Sequence, residues 1–330
     1  MTTAETALER AEELAERVLP ERTVKRRMLV IVNPYATTVS ERLKNLVVYA
    51  LGARYSVEAV ETEARLHATE LCREAAEAGY DVVVAFGGDG TVNEAANGLA
   101  GSDTPLTCLP GGSTNVFCRT LGIPGDVVDA TEHLLAIADD FRPRRVDLGR
   151  VDDRHFVFAA GIGLDASVVE RVDSRPHLKA SMREWYFTYS AVTTFMRHYL
   201  VNPPRVRVEA DGRSVEGVTV IVQNGDPFTF FGGRPIRICE GAGLEQGSIS
   251  LAVLKRATAL ELPTLVPRIF SARARTVQRA RQVDGFAGVS EARVSAAGDA
   301  PFPLEVDGDY LGERDEVAFA VRPGGLAVVA

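Results

Sequence analysis

A run of apolar residues, Val82-Val83-Val84-Ala85-Phe86, breaks directly into Gly87-Gly88-Asp89-Gly90-Thr91 and then into helical spacing at Val92, Ala95, Ala96 and Leu99. A strand this uniformly apolar is buried on both faces, the condition of a strand inside a covered sheet. The turn that follows leaves unpaired backbone N–H groups and the positive end of a helix dipole at one place, which suits a phosphate. Glycine lets the backbone approach the phosphate oxygens where any side chain would hold them away. Asp89 is the odd member, because a carboxylate repels a phosphate unless a cation lies between them. The loop therefore reads as a site for a Mg²⁺-bound polyphosphate, with a tight turn whose glycines serve close packing as the alternative.

The flanking sequence repeats the pattern. Strands are expected at 28–32, 55–60, 82–86 and 105–109, separated by helices over 39–51, 66–78 and from Thr91 onward, and helical signal continues to about 139. Strands alternating with helices of this length predict an α/β domain with a parallel sheet covered on both faces. In such sheets ligands bind outside the carboxyl ends of the strands. Here those ends are Asn33–Thr37, Gly87–Thr91 and Pro110–Asn115, and the last again combines glycines, hydroxyls and an amide. Convergence of these loops favours nucleotide binding over turn chemistry.

Beyond residue 143 short strands follow one another at 144–151, 155–160, 204–210, 217–223, 235–239 and 248–254, with a hairpin at Asp211-Gly212. This predicts a mainly antiparallel, β-rich second domain over 144–315 after a nucleotide-binding domain over 25–143. Helices are expected near 164–172, 182–199 and 258–270. The strand-like end, 316–330, is placed to return to the first domain. Residues 1–24 form a separate extension with an amphipathic helix over 4–19, suited to packing on its own domain or to a homodimer contact.

Composition narrows the partners. The net charge of −8 and the lack of any nucleic-acid-reading motif argue against a nucleic-acid binder. Cys72, Cys108, Cys118 and Cys239 are scattered without C-x-x-C spacing, as in a reduced cytoplasmic protein. There is no signal-peptide pattern and no apolar run long enough to span a bilayer.

With Gly87-Gly88-Asp89-Gly90-Thr91-Val92-Asn93-Glu94 in place, the sequence from about residue 28 onward resembles the diacylglycerol kinase catalytic-domain family of lipid kinases. The matching motifs are Val32-Asn33-Pro34, the full glycine loop, Gly112-Ser113-Thr114-Asn115 and Asp307-Gly308-Asp309, in that order. The resemblance implies ATP and Mg²⁺ in an interdomain cleft. The implied nucleotide ligands are Asn33, Pro34, Thr37, Thr62, Gly87, Gly88, Asp89, Gly90, Thr91, Asn93, Glu94, Gly112, Ser113 and Asn115, with Asp89 meeting the nucleotide's Mg²⁺. It also implies a structural metal segment, which here reads Gln246-Gly247-Ser248-Ile249 and has lost the usual aspartate. Gly243, Gln246 and Ser248 would be its remaining ligands. Phosphoryl transfer further needs a group to take the acceptor hydroxyl's proton. Asp307 is the first choice for that base and Asp309 the second, against the plain alternative of a hairpin turn.

The implied acceptor is a membrane lipid, so the protein is expected to be peripheral to the inner face of the membrane. The alternatives are a kinase of a soluble small molecule on the same scaffold and a nucleotide-binding pseudokinase that senses lipid, the latter suggested by the altered Asp307-Gly308-Asp309 and Gln246–Ser248 segments. Two basic stretches suit an anionic surface as well as a solvated face. They are Arg171, Arg175, Lys179 and Arg183, and the acid-free segment 262–283 with Arg268, Arg273, Arg275, Arg279 and Arg281. The aromatic helix at 185–199 is expected to pack in a core. Phe228, Phe230 and Phe231 lie in a glycine-rich loop and are the better candidates to touch an acyl chain.

Overall fold

In the computed structural model of the chain, β1 (Arg27–Val32), β3 (Val82–Gly87) and β4 (Leu106–Pro110) pair in parallel, with β2 (Ser56–Glu61) at the edge. The structure describes residues 25–36, 39–138, 140–163, 204–256, 262–298 and 300–330. The expected helices over 4–19, 164–172 and 182–199, with the basic residues 171–183, lie outside them.

Val83, Val84, Ala85 and Phe86 have no exposed surface, as a strand covered from both sides requires. The covering helices are α1 (Glu41–Leu51), α2 (His67–Glu77), α3 (Asp89–Leu99), α4 (Val116–Thr120) and α5 (Val127–Ala136). Ser40 caps α1 by accepting from the Leu43 N–H, and Asp126 caps α5 by accepting from Val128 and Asp129. Helix α3 begins at Asp89, earlier than the expected Thr91, because Gly88 takes the extended cap conformation at φ −89° and ψ −175°.

The remaining strands are β5 (Arg144–Val151), β6 (Arg154–Phe156), β7 (Ala159–Ile162), β8 (Val206–Ala210), β9 (Arg213–Gly217) and β10 (Thr219–Gln223). After them come β11 (Thr229–Phe231), β12 (Arg234–Ile236) and β13 (Ile249–Leu254). Last are β14 (Val283–Val289), β15 (Glu291–Ala296), β16 (Phe302–Val306), β17 (Asp309–Arg314) and β18 (Glu316–Val328). Two short helices, α6 (Leu262–Ile269) and α7 (Ala274–Gln278), precede β14. One sheet runs β14-β13-β10-β7-β16-β17 and is antiparallel throughout. The other continues the parallel strands: β18 meets β4 at Val328–Leu106 and then pairs antiparallel with β5 and β15. The fold is thus an α/β domain followed by an antiparallel β sandwich, and the last strand stitches them into a common sheet.

Between the sandwich sheets lie Phe156, Phe302 and Phe319, fully or almost fully buried. Phe156 meets Phe319 edge-to-face at 6.3 Å between centroids. The expected hairpin at Asp211-Gly212 joins β8 to β9, both residues having positive φ (49° and 68°). A second hairpin of the same kind, Asp307-Gly308 at φ 48° and 85°, joins β16 to β17 and turns back toward α3.

Candidate active site

The ends of β3 and β4 lie backbone to backbone. The Gly111 N–H donates to the Gly87 carbonyl at 2.8 Å. A Cβ on Gly111 would sit 2.8 Å from the Gly87 Cα, and one on Gly112 2.8 Å from the Gly88 Cα. These glycines are required by loop-to-loop contact, so the packing alternative raised from sequence operates here alongside any ligand role. Asn115, at φ 49°, staples the second loop: its Oδ1 accepts from the Gly112 N–H at 2.9 Å and its Nδ2 donates to the Gly112 carbonyl at 2.8 Å. Ser113 stands exposed at the tip.

Helix α3 starts between these loops without any side-chain cap. Its first-turn N–H groups and the dipole behind them form a cradle for an anion, and the surrounding glycines leave it open. A polyphosphate fits this donor set. Around it, the Asn33 Nδ2 donates to the Thr91 Oγ1 at 3.1 Å, while the Asn33 Oδ1 accepts from the Tyr35 N–H at 2.9 Å. Pro34 is exposed in the turn after β1, and Thr62, at the end of β2, donates its N–H to the Val32 carbonyl at 2.9 Å. Thr37 lies outside the described residues.

Several motif side chains serve the scaffold in this geometry. Asp89 turns to the N-terminus of α4, where its Oδ1 accepts from the Phe117 N–H at 3.3 Å. Desolvation pushes its carboxyl up to about 6, against the opposing pull of the Val116, Phe117 and Asn115 N–H groups and the Arg119 charge. Glu94 turns to α2, whose first residues have a left-handed entry at Leu66: its Oε2 accepts from the Ala68 N–H at 3.3 Å. Asn93 is buried and points across the domain junction, donating to the Asp307 Oδ2 at 2.7 Å and the His155 carbonyl at 3.0 Å.

The two acids of the β16–β17 turn part company. Asp307 is buried, and its carboxylate accepts from the N–H groups of Val157 (2.7 Å), Phe158 (3.0 Å) and Ala159 (3.0 Å) in addition to Asn93. Burial pushes this carboxyl up to about 6 despite those donors. It therefore ties the turn to the β6–β7 segment and to α3. Asp309 instead faces the glycine loop, with its Oδ1 3.5 Å from where a Cβ on Gly90 would stand. Arg154 holds it, donating to the Asp309 Oδ2 at 3.0 Å and to the Asn93 Oδ1 at 2.8 Å, and Arg65 approaches to 3.7 Å. This geometry sets Asp309 at the glycine loop and Asp307 in the domain junction. No motif pointed to Arg154 or Arg65, whose partners lie far away in sequence.

The expected metal segment has a different chemistry. The Gly243 N–H donates to the Asn224 carbonyl at 3.1 Å, and the Gln246 side chain lies back against Gly243. Asp147 is the carboxylate at this place, and both its oxygens already accept backbone N–H groups, from Gly247 at 2.6 Å and Gly324 at 2.8 Å. Gly243, Gln246 and Ser248 offer no carboxylate, a donor set that does not fit a structural Mg²⁺. Among the described residues no three His, Cys, Asp or Glu side chains are grouped to hold a metal.

A parallel sheet ending in paired glycine loops, with a β sandwich returning an acidic turn over them, defines a kinase of the diacylglycerol kinase catalytic-domain family. The chain belongs to that family: residues 27–151 match the diacylglycerol kinase catalytic domain and residues 159–330 the YegS C-terminal NAD kinase beta sandwich-like domain. Among curated proteins it is similar to a diacylglycerol kinase of Bacillus subtilis, 30% identical over 213 residues that make up 63% of this chain and 66% of that protein. It is also similar to one of Staphylococcus epidermidis, 26% identical over 296 residues and 88% of each chain. A crystal structure of a diacylglycerol kinase from Bacillus anthracis has the same fold, with a TM-score of 0.71 at 23% identity over 93% of this chain and 98% of that one. Among the described residues no helix is long and apolar enough to cross a membrane.

Proposed function

We propose that the chain transfers the γ-phosphoryl group of ATP, taken as its Mg²⁺ complex, to the hydroxyl of a diacylglycerol-like membrane lipid. The observation that carries this reading is the Asp309 carboxylate set beside Gly90, where a side chain from the sandwich meets the uncapped N-terminus of α3. The backbone donors of Gly88–Thr91 and the Ser113 tip would hold the phosphates. Mg²⁺ would neutralise their charge, and Asp89, the carboxylate of the glycine loop, would be the side chain to meet it by leaving its α4 partner. Asp309 accepts the acceptor hydroxyl's proton at a carboxylate oxygen as the new bond to phosphorus forms. Arg154 holds Asp309 and links it to Asn93 of α3. Asp307 is a positioning residue that keeps the turn at this height.

The test is acceptor-stimulated ADP release. Dioctanoylglycerol should stimulate ADP formation from ATP by about tenfold or more, while glycerol, which has the hydroxyls without the acyl chains, should not. Stimulation by a soluble polyol and none by any glycerolipid would overturn the lipid assignment.

A further inference from the structure

The β11–β12 hairpin and the α6–α7 pair form an end of the sandwich that the site described above does not use. Phe231 and Phe270 stack edge-to-face at 5.5 Å, yet they remain 43% and 44% exposed, and Val266 beside them is 44% exposed. Apolar side chains that pack on each other in open water mark an interaction surface. The two elements are joined, since Arg237, just after β12, donates to the Ala272 carbonyl at 3.4 Å between α6 and α7. Arg268 likewise donates from α6 to the Thr276 carbonyl at 3.1 Å in α7. Arg234 faces Phe231 across the hairpin, and Arg273, Arg275, Arg279 and Arg281 follow Phe270 in and around α7; all five are exposed and make no ion pair among the described residues. Residues 262–283 contain no acid, although the chain as a whole carries a net charge of −8.

The hairpin also reaches the nucleotide loops. Phe228 and Phe230, expected from sequence to touch lipid together with Phe231, pack against buried core residues instead. The Arg119 guanidinium at the end of α4 covers the Phe230 ring at 3.6 Å and donates to the Gly232 carbonyl at 3.2 Å. Helix α4 is the one whose start Asp89 caps.

We propose that this end of the molecule docks on an anionic bilayer, with Phe231, Phe270 and Val266 entering the interface and the surrounding arginines meeting the headgroups. The charge decides the occupant. A basic, acid-free segment on an acidic protein is complementary to anionic lipid, and the exposed Phe231, Phe270 and Val266 supply the apolar side chains of an interfacial anchor. A face of this kind repels a second copy of itself by like charge. Docked so, the membrane-held hairpin would be the element that Arg119 ties to α4, the helix that follows the Gly112 loop. The proposal leans on the lipid-kinase reading only for the use made of docking, and vesicle binding is measured without ATP, so the two can fail separately.

The experiment is co-sedimentation of the full chain with phosphatidylcholine vesicles, with and without phosphatidylglycerol. Binding should require phosphatidylglycerol and weaken in about 0.5 M salt, because exposed charges are screened beyond a few ångströms there. The double variant Phe231→Ser, Phe270→Ser should lose about tenfold in binding, and Arg273→Glu, Arg275→Glu at least as much. Both should keep the melting temperature and the turnover of dispersed dioctanoylglycerol. Equal binding to both vesicle types, wild-type binding by both variants, or a dimer that dissociates in the Phe variant while the wild type ignores vesicles would each overturn the proposal. Loss of turnover in wild type with intact vesicle binding would instead count against the kinase reading alone.

Discussion

Replacing Asp309 with Asn is expected to lower kcat at least about hundredfold while leaving the KM for ATP and the melting temperature near wild type. The carboxylate is half-buried, so the amide loses proton-accepting power without leaving a large unsolvated hole. Its neighbour should behave differently. Asp307→Asn places an NH₂ group where Val157, Phe158, Ala159 and Asn93 all donate, so two donors face each other in a buried site. The cost is on the order of 3 kcal/mol, enough to lower the melting temperature by several degrees. Activity measured per folded molecule should fall less than in the Asp309 variant. Asp309→Glu should retain part of the activity, because the longer acid still reaches Arg154. Thermal melts paired with steady-state kinetics separate the two roles. Equal stability loss in both variants, with equal kinetics, would return Asp307 to the first place that its motif position suggests.

The second large effect concerns the glycine loops. Gly112→Ala should weaken ATP binding by about tenfold to a hundredfold, the equivalent of about 1.4 to 3 kcal/mol. Its new Cβ would lie 2.8 Å from the Gly88 Cα and 3.1 Å from the Asn115 Oδ1, so the loops must separate and the donors of α3 must shift. Gly88→Ala makes a useful contrast. Its Cβ would stand 3.4 Å from the Gly112 Cα, an ordinary contact, and it should cost less. Titration with a fluorescent ATP analogue reads both. Identical affinities would mean that loop spacing does not set the phosphate cradle.

The fold class was legible because its signals are local. An unbroken apolar run such as 82–86 must be covered on both faces, and the glycines that follow can only make a strand-to-helix turn. The late strands were harder. Val283–Val289 carries Gly285 and Gly288 and mixes exposed with buried positions, so it has neither the alternation nor the density that marks a strand. In the site, the motifs name residues but not what each side chain touches. Whether Glu94 faces a nucleotide or caps α2 depends on the left-handed entry at Leu66, 28 residues earlier by number. The choice between Asp307 and Asp309 depends on three N–H groups about 150 residues upstream, which no spacing rule connects to the turn. Two residues apart on a strand, the acids would share a side, unless a turn intervenes. Positive φ at Asp307 and Gly308 breaks that alternation, sending one carboxylate inward and leaving the other at the cleft.

The most direct test of the central claim is phosphoryl transfer from γ-labelled ATP to a total membrane-lipid extract, followed by organic extraction. The label should move into an organic-soluble phosphate monoester with wild-type protein and stay in ATP with Asp309→Asn. Label released only as inorganic phosphate, or recovered only in a water-soluble product, would contradict it.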